Sequence, residues 1–376
     1  MQQLPIGAAK SKASKTRKRE STDVAFVKRV VFLGTSSALL FDCGEATQHQ
    51  LMRLKGLGAG QIDQVFLTHL HGDHCFGIFA RPGRNAEAAA DDRRFDGYWN
   101  AFRNASIKCF CGVRKMASDF SHVCIHEFPS YKLEEGEEGG DVKRANSPNQ
   151  EGDSKASGHR QCLVEPIDCG GGIQVIPRRI KHVKELETWG YIVQEASHPG
   201  KLDASKAMKL GARGKQLGAL KAGLDVLDED GKVMIRAADV VASPTEGAKV
   251  SLMWDTFDAT NAKEASMGCM LLVHESTFRS SEKEKARQWG HSTAALTLIF
   301  EFEGMAGRFA AEVKAKALVL THISSRYSSE EELQGLVDEA REAALSTGKE
   351  KEFNVRIASD FLELHRKKPA DCFEVA

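Results

Sequence analysis

The chain of 376 residues carries no net formal charge, because 52 basic side chains balance 52 acidic ones. That balance excludes a global field for gripping polyanions, so any nucleic-acid affinity must come from local basic patches. No apolar run reaches the ~20 residues of a membrane-spanning helix. Nine cysteines contain no CxxC pair, and nothing resembles a signal peptide, so reduced thiols in an intracellular compartment are expected. Cys109-x-Cys111 reads as strand alternation rather than a metal clip. With 41% hydrophobic residues the chain can bury a large core, and one layered domain with excursions is expected rather than two equal domains.

What is present concentrates in VFLTHLHGDHCFGI, residues 65 to 78. His69-x-His71-x-Asp73-His74 sets three imidazoles and a carboxylate at the end of an apolar, β-branched run. Neutral imidazole nitrogen and carboxylate oxygen suit zinc and similar divalent ions, and this spacing on a tight turn lets the ligands be shared between two adjacent ions. One helix could not face all four the same way. Against a merely histidine-rich surface loop stand the preceding strand, the turn residue Gly72 and the partners further along. IQVIPRRIKH ends at His182, KVSLMWD at Asp255 and AKALVLTH at His322, each where a strand opens into a loop. A lone His after a strand is usually structural; three such sites joined to the first motif form a ligand set.

These motifs resemble the metallo-β-lactamase superfamily and, within it, the tRNase Z nucleases, over most of the chain. The similarity includes FLGTSSA (Phe32 to Ala38), FDCGEATQ (Phe41 to Gln48), THLHGDHCFG, Gly190-Tyr191, PGKL from Pro199, HEST (His274 to Thr277), GHST (Gly290 to Thr293) and THISSRY (Thr321 to Tyr327). HEST, GHST and the PGKL-led segment set the nucleases apart within the superfamily. The NSP tract near Pro148 looks most like the short eukaryotic form. The resemblance implies a four-layer αββα sandwich, α/β in class, with ligands on loops along one edge. It also implies two zinc ions per subunit, a homodimer, and cleavage of the 3′ trailer from precursor tRNA, leaving a tRNA 3′-hydroxyl and a trailer 5′-phosphate. By that analogy His69, His71 and His182 hold one zinc, Asp73, His74 and His322 the other, and Asp255 bridges them. Two such cations would polarise the phosphodiester and lower the pKa of a shared water toward ~7.

Asp73 is the expected general base, and His291, oriented by Glu275, the expected proton donor to the leaving 3′-oxygen. The bland alternatives are that Ser292 and Thr293 cap a helix over STAALTLIF, and that His274 orients a ligand from behind. Residues 199 to 223 hold Lys201, Lys206, Lys209, Arg213, Lys215 and Lys221 against the single acid Asp203, which suits a phosphate backbone. In the family this segment is an arm that grips the tRNA elbow by shape; here RGKQLG replaces the usual Gly-Pro tip. Arg326 of THISSRY joins the substrate-binding set. Two rivals remain: a phosphodiesterase of the same fold acting on small substrates, and a non-catalytic RNA-binding relative.

Residues 1 to 28 read as a basic tail whose KTRKR core suits a nuclear address or an RNA-tethering arm, and a nuclear or cytoplasmic location better than a mitochondrial one. The nuclease domain is then 29 to 376. Residues 132 to 160 are too polar to offset their ordering entropy and read as a mobile insertion. RPGRNAEAAADD departs from the family's more apolar LPGLL-type helix start. EATQHQLMRL and SEEELQGLVDEAREAAL are expected helices, the second opened by a Ser329/Glu332 capping box. Between FLGTSSA and FDCGE the family places a further strand, but here Ala38 runs directly into Leu39. An unpaired apolar sheet edge is therefore expected, unless a segment of the message has been skipped.

Overall fold

The computed structural model describes residues 23–26, 30–33, 38–45, 47–54, 57, 61–79, 106–109, 124–127, 164–183, 186–228, 231–232, 234–295, 306–349, 353–366 and 373–375. The expected insertion at 132 to 160, the RPGRNAE departure and the basic cluster at 10 to 19 lie outside these residues.

Chain order begins with β1 (Asp23–Phe26), β2 (Val30–Leu33), β3 (Ala38–Phe41), α1 (Thr47–Arg53), β4 (Ile62–Phe66), α2 (Gly72–Phe79), β5 (Ser106–Cys109) and β6 (Cys124–Glu127). It continues with β7 (Ile167–Asp168), β8 (Ile173–Ile180), β9 (Thr188–Glu195), α3 (Ala204–Lys209), α4 (Lys215–Lys221), β10 (Val226–Leu227), β11 (Met234–Ile235) and α5 (Ala237–Val240). The remainder comprises β12 (Lys249–Met253), α6 (Lys263–Ser266), β13 (Leu271–Glu275), α7 (Lys283–Gln288), α8 (Ala306–Glu312), β14 (Ala317–Thr321), α9 (Glu330–Ser346), β15 (Asn354–Ile357), β16 (Glu363–Arg366) and β17 (Phe373–Val375). Two large sheets result, ordered β17-β16-β1-β2-β3-β4-β5-β6 and β15-β14-β13-β12-β9-β8-β7.

Period-two alternation decides which side chains meet between the sheets. Leu39 and Phe41 join Phe66 from the first sheet, and Val175, Trp189, Tyr191, Val193, Val250 and Leu252 answer from the second. Phe41, Phe66 and Tyr191 form an aromatic knot with centroids 5.1 to 5.6 Å apart. A Cβ at Gly190 would lie 2.6 Å from Met253 Sδ, which explains the Gly beside Tyr191. The outer face of the second sheet, through Leu272, Leu318 and Leu320, packs on Phe309 of α8 and Leu336 and Ala340 of α9. The capping box on α9 forms as expected, Ser329 Oγ accepting from Glu332 N and Glu332 Oε2 from Ser329 N. Leu51 and Met52 of α1, with Cys75 and Ile78 of α2, are buried in the fourth layer. The architecture is the α/β, four-layer αββα sandwich of the metallo-β-lactamase fold.

The expected unpaired edge does not occur. β2 and β3 pair as an antiparallel hairpin, Val30 opposite Phe41 and Leu33 opposite Ala38. On its other side β2 pairs with β1, Val24 opposite Phe32, and β1 pairs with β16, Val24 opposite Leu364. Residues 23–26, DVAF, fall within the span that composition assigns to the tail. They supply the strand missing after Ala38, because a mostly apolar tetrapeptide gains backbone partners on both sides there. The nuclease domain thus reaches back to Asp23, ahead of the expected boundary at Arg29.

Parallel pairing then places the site. β3 and β4 run parallel, as do β12, β13 and β14. β8 runs with β12, since both are antiparallel to β9. Carboxyl ends of parallel strands share one edge, and the residues following β3, β4, β8, β12 and β14 are Asp42, His69, His182, Asp255 and His322.

A candidate metal centre at the carboxyl edge of both sheets

All seven expected ligands come together. His69, His71, His182 and Asp255 offer donor atoms within 4.8 Å of one another, and so do Asp73, His74 and His322. Tetrahedral zinc with bonds of about 2.0–2.1 Å separates its ligands by about 3.3 Å, so each group is of the right size. Asp255 lies between the groups, with Oδ2 3.9 Å from His69 Nε2, 3.4 Å from His74 Nε2 and 3.4 Å from His322 Nε2. The four motif residues divide as the turn requires: His69 and His71 precede α2, whereas Asp73 and His74 lie in its first turn.

Four of the five rings are held from behind. His74 Nδ1 lies 2.7 Å from Asp42 Oδ2, and His182 Nδ1 lies 2.7 Å from the Gly290 carbonyl. These oxygens only accept, so both Nδ1 atoms donate and both Nε2 atoms face the centre. His322 Nδ1 meets Thr277 Oγ1 at 2.8 Å, and that hydroxyl donates to Glu275 Oε2 at 2.7 Å. Thr68 Oγ1 stands 2.9 Å from His69 Nδ1. Burial, with the charge of His74, pushes His69 down to about 2, and burial also lowers His71 and His182. Burial would likewise lower His74, but Asp42 and Asp255 outweigh it and hold the ring protonated, at about 10. Burial would raise Asp255; His322 and His74 overcome it and keep the carboxylate ionised.

The residues fit a divalent metal on an independent ground. His74 Nε2, His182 Nε2 and Asp255 Oδ1 are buried polar atoms without a hydrogen-bond partner, although each belongs to the cluster. Orphaned buried donors and acceptors are costly, and divalent cations bound in the two groups would satisfy them.

His291 closes the cluster. Its ring stacks on His322 at 5.1 Å and lies 4.8 Å from His182, with 15% of the side chain exposed. His291 Nδ1 donates to Glu275 Oε1 at 3.0 Å. Burial opposes protonation of His291, but the Glu275 hydrogen bond and charge prevail and raise its pKa. Glu275 itself is fully buried and accepts from Thr256 N, Thr277 N, Thr277 Oγ1, Ser292 N and His291. Its carboxylate is thus occupied by protein partners, the expected proton donor His291 among them. His274 departs from its expectation: it points to the helix side, its ring 5.6 Å from Phe309 and its Nδ1 donating to the Glu275 carbonyl, so it orients no ligand.

Sequence reasoning missed Asp42 as a named participant, although it quoted FDCGE. Asp42 takes Thr68 N at 2.8 Å and His74 together, at a left-handed φ of 61°. Among the described residues only four non-glycines have positive φ, and Asp42 and His322, at 54°, are two of them. Such backbone strain gathers where a side chain must be aimed. An acid directly after a β-rich run, ahead of a glycine, was the available signal.

The arm is longer than residues 199 to 223. Bridges at His198–Thr245 and Leu202–Val241 form a stalk that leaves after β9 and returns before β12. Between them α3, α4, β10, β11 and α5 enclose their own small core of Ala207, Ala212, Leu220, Ile235, Ala237 and Val240. The second half escaped the sequence reading because Asp225, Asp228 and Asp239 lack a basic pattern. All six basic candidates are exposed. Two are engaged internally, however: Arg213 Nη1 donates to the Met208 and Ala212 carbonyls, and Lys206 Nζ to the Asp239 carbonyl. Arg326 is also engaged, with Glu282 at 2.8 Å and above the Phe278 ring.

The family model of the metallo-beta-lactamase superfamily matches residues 23–80, a span running from β1 through the HLHGDH turn. Fold and cluster together define a metallo-β-lactamase-fold protein with a histidine-rich metal centre. The zinc phosphodiesterase ELAC protein 1 of Bos taurus is 31% identical over 330 residues, covering 81% of this chain and 84% of that protein. A ribonuclease Z of Bacillus licheniformis is 32% identical over 345 residues, covering 91% and 94%. Among solved structures, the short form of human tRNase Z is similar at a TM-score of 0.48 and 20% identity, over 91% of this chain and 98% of that one. On the sequence relatives, the chain belongs to the ribonuclease Z family.

Proposed function

We propose that this chain is a zinc-dependent endoribonuclease that removes the 3′ trailer from precursor tRNA, leaving a tRNA 3′-hydroxyl and a trailer 5′-phosphate. The carrying observation is the convergence of all seven ligand candidates on one edge with orphaned nitrogen and oxygen atoms turned inward. His69, His71 and His182 would hold one zinc, Asp73, His74 and His322 a second, with Asp255 between them. Zinc bound there supplies Lewis acidity to the scissile phosphate and lowers the pKa of water at the site toward ~7.

The chain's own residues supply the proton handling. Asp73, 62% exposed at its side chain and facing His74 and His322, is placed to accept the proton of the attacking water. His291, whose protonated form Glu275 favours, is placed to donate from its other nitrogen to the departing 3′-oxygen, a service worth about 10²–10⁴-fold. Lys201, Lys209, Lys215 and Lys221 of the arm give a phosphate-following surface for tRNA. The family resemblance supports a homodimer, and the KTRKR segment supports a nuclear or cytoplasmic location. Among the described residues no helix is long and apolar enough to cross a membrane.

The deciding experiment incubates purified protein with a precursor tRNA bearing a labelled 3′ trailer and maps both new ends. Cleavage on the 3′ side of the acceptor stem, abolished by chelation and restored by zinc, is expected. Equal hydrolysis of bis(p-nitrophenyl) phosphate with no precursor cleavage would favour the small-substrate phosphodiesterase instead. Two metals per chain by elemental analysis, and a dimer by light scattering, test the remaining parts.

A further inference from the structure

Trp289 is 59% exposed, whereas Trp189 and Trp254 are buried. An indole is highly buried on average, and one left open presents a flat face on which another ring can stack. Among the described residues the exposed large apolar side chains fall in two places. Met208, Leu210, Leu224, Leu227 and Met234 belong to the arm; Phe76 and Trp289 belong to the segments that carry the metal centre.

The position of Trp289 is tightly fixed. It ends α7, with its N–H on the Lys285 carbonyl at 3.0 Å. Gly290 follows at a φ of 71°, its carbonyl 2.7 Å from His182 Nδ1, and a Cβ there would lie 2.7 Å from the His182 backbone. His291 comes next, its own N–H on the Ala286 carbonyl at 2.8 Å. The exposed indole is therefore one residue from the carbonyl that aims a ligand, and two from the expected proton donor. Successive Cα atoms are about 3.8 Å apart, so Trp289 stands within about 8 Å of His291, measured along the chain. Its helix also presents exposed Lys283, Lys285 and Arg287, with Lys285 paired to Glu282 at 2.8 Å and Lys283 3.9 Å from Glu284. The lysines are tied to neighbouring acids, so the feature that matches single-stranded nucleic acid is the open aromatic face, on which an unpaired base can stack.

We infer that Trp289 is a positioning residue that stacks on an unpaired base flanking the scissile phosphate and so holds the single-stranded junction over the metal centre. The inference rests on the nuclease reading above. Stacking is indifferent to base identity, because every base has a π face, and this suits a nuclease that must accept many trailers.

The test combines Trp289→Ala and Trp289→Phe with precursor tRNAs that are either intact or abasic at the nucleotides on each side of the cut. On intact precursor, Trp289→Ala should raise KM about ten- to a hundredfold with kcat little changed, and Trp289→Phe should restore most of the loss. On abasic precursor the wild type and Trp289→Ala should converge. An equal loss on intact and abasic substrates, an unchanged KM, or a Phe variant as poor as Ala would overturn the inference. Should the wild type not cleave precursor at all, the nuclease reading fails by itself. Stacking is then read from quenching of tryptophan emission by a single-stranded oligonucleotide, wild type minus Trp289→Phe, and absence of that difference overturns it.

Discussion

Asp42→Asn separates the aiming of His74 from the scaffolding around it. Asparagine tolerates the left-handed φ of 61° at this position, and its carbonyl can still accept Thr68 N, now held at 2.8 Å. Its amide nitrogen replaces the oxygen that receives His74 Nδ1–H at 2.7 Å, so a donor faces a donor. The neutral imidazole then prefers to carry its one proton on Nε2, the nitrogen that metal binding needs bare. Loss of such a supporting carboxylate typically costs 10–100-fold in metal affinity, about 1.4–2.7 kcal/mol. Asp42→Ala should cost a further ~1–3 kcal/mol of fold stability, because the buried Thr68 N–H loses its acceptor. Zinc affinity by competition with a chelating dye, alongside thermal melting of the metal-free protein, distinguishes the two effects. Zinc affinity in Asp42→Asn within threefold of wild type would refute the role assigned to Asp42, and with it the ligand role of His74. In the wild type, Asp42 and Asp255 hold His74 protonated, its pKa raised to about 10. Zinc uptake near pH 7.5 should release about one proton from it, measurable calorimetrically in buffers of different ionisation enthalpy. Because that pKa is raised above the unfolded value of about 6.5, its stabilisation of the metal-free protein is complete below pH 6.5. It is lost as the pH rises toward 10.

Asp73→Ala should reduce precursor cleavage below about a tenth of wild type while tRNA binding stays within about tenfold, and His291→Ala should slow turnover 10²–10⁴-fold with zinc content unchanged. Loss of half the zinc from His291→Ala would reassign it as a ligand. Replacing Lys201, Lys209, Lys215 and Lys221 together by Ala should flatten the salt dependence of tRNA binding, by up to about 0.9 in log–log slope for each phosphate no longer neutralised. Arg213→Ala should instead loosen the arm, which limited proteolysis would reveal as a new cut between 198 and 245. Removing residues 1–22 should leave the melting temperature in place, whereas removing 1–26 should lower it and promote aggregation through the bared β2 edge. Equal melting of the two truncations would show that β1 contributes nothing.

The ligands were legible because chemistry and topology leave the same trace. Each ends an apolar β-branched run, and parallel strands bring such ends to one edge. Asp42 was harder to read, since its function lies in what it accepts, and a carboxylate after a strand is common. The arm was half legible: lysine spacing marked α3 and α4, but the acidic hairpin β10–β11 and α5 complete a core visible only in three dimensions. Arg213 shows the limit of charge counting, because its guanidinium faces backbone carbonyls of its own module. The segment before β2 reads as tail by composition, and only pairing with β2 and β16 reveals a strand.

Glu275 receives hydrogen bonds from residues just after Asp255, just after its own strand, and at the start of the His291 segment. Three loops are thereby hung on one carboxylate. Substitutions in any of them act through a common pivot, so their effects will fail to add, and the loops cannot drift apart in evolution one at a time. An activity-only mutational survey would rank Glu275 beside the reacting groups. Metal content and the pH profile of the Glu275→Gln variant would show a hinge pin where the survey saw a blade.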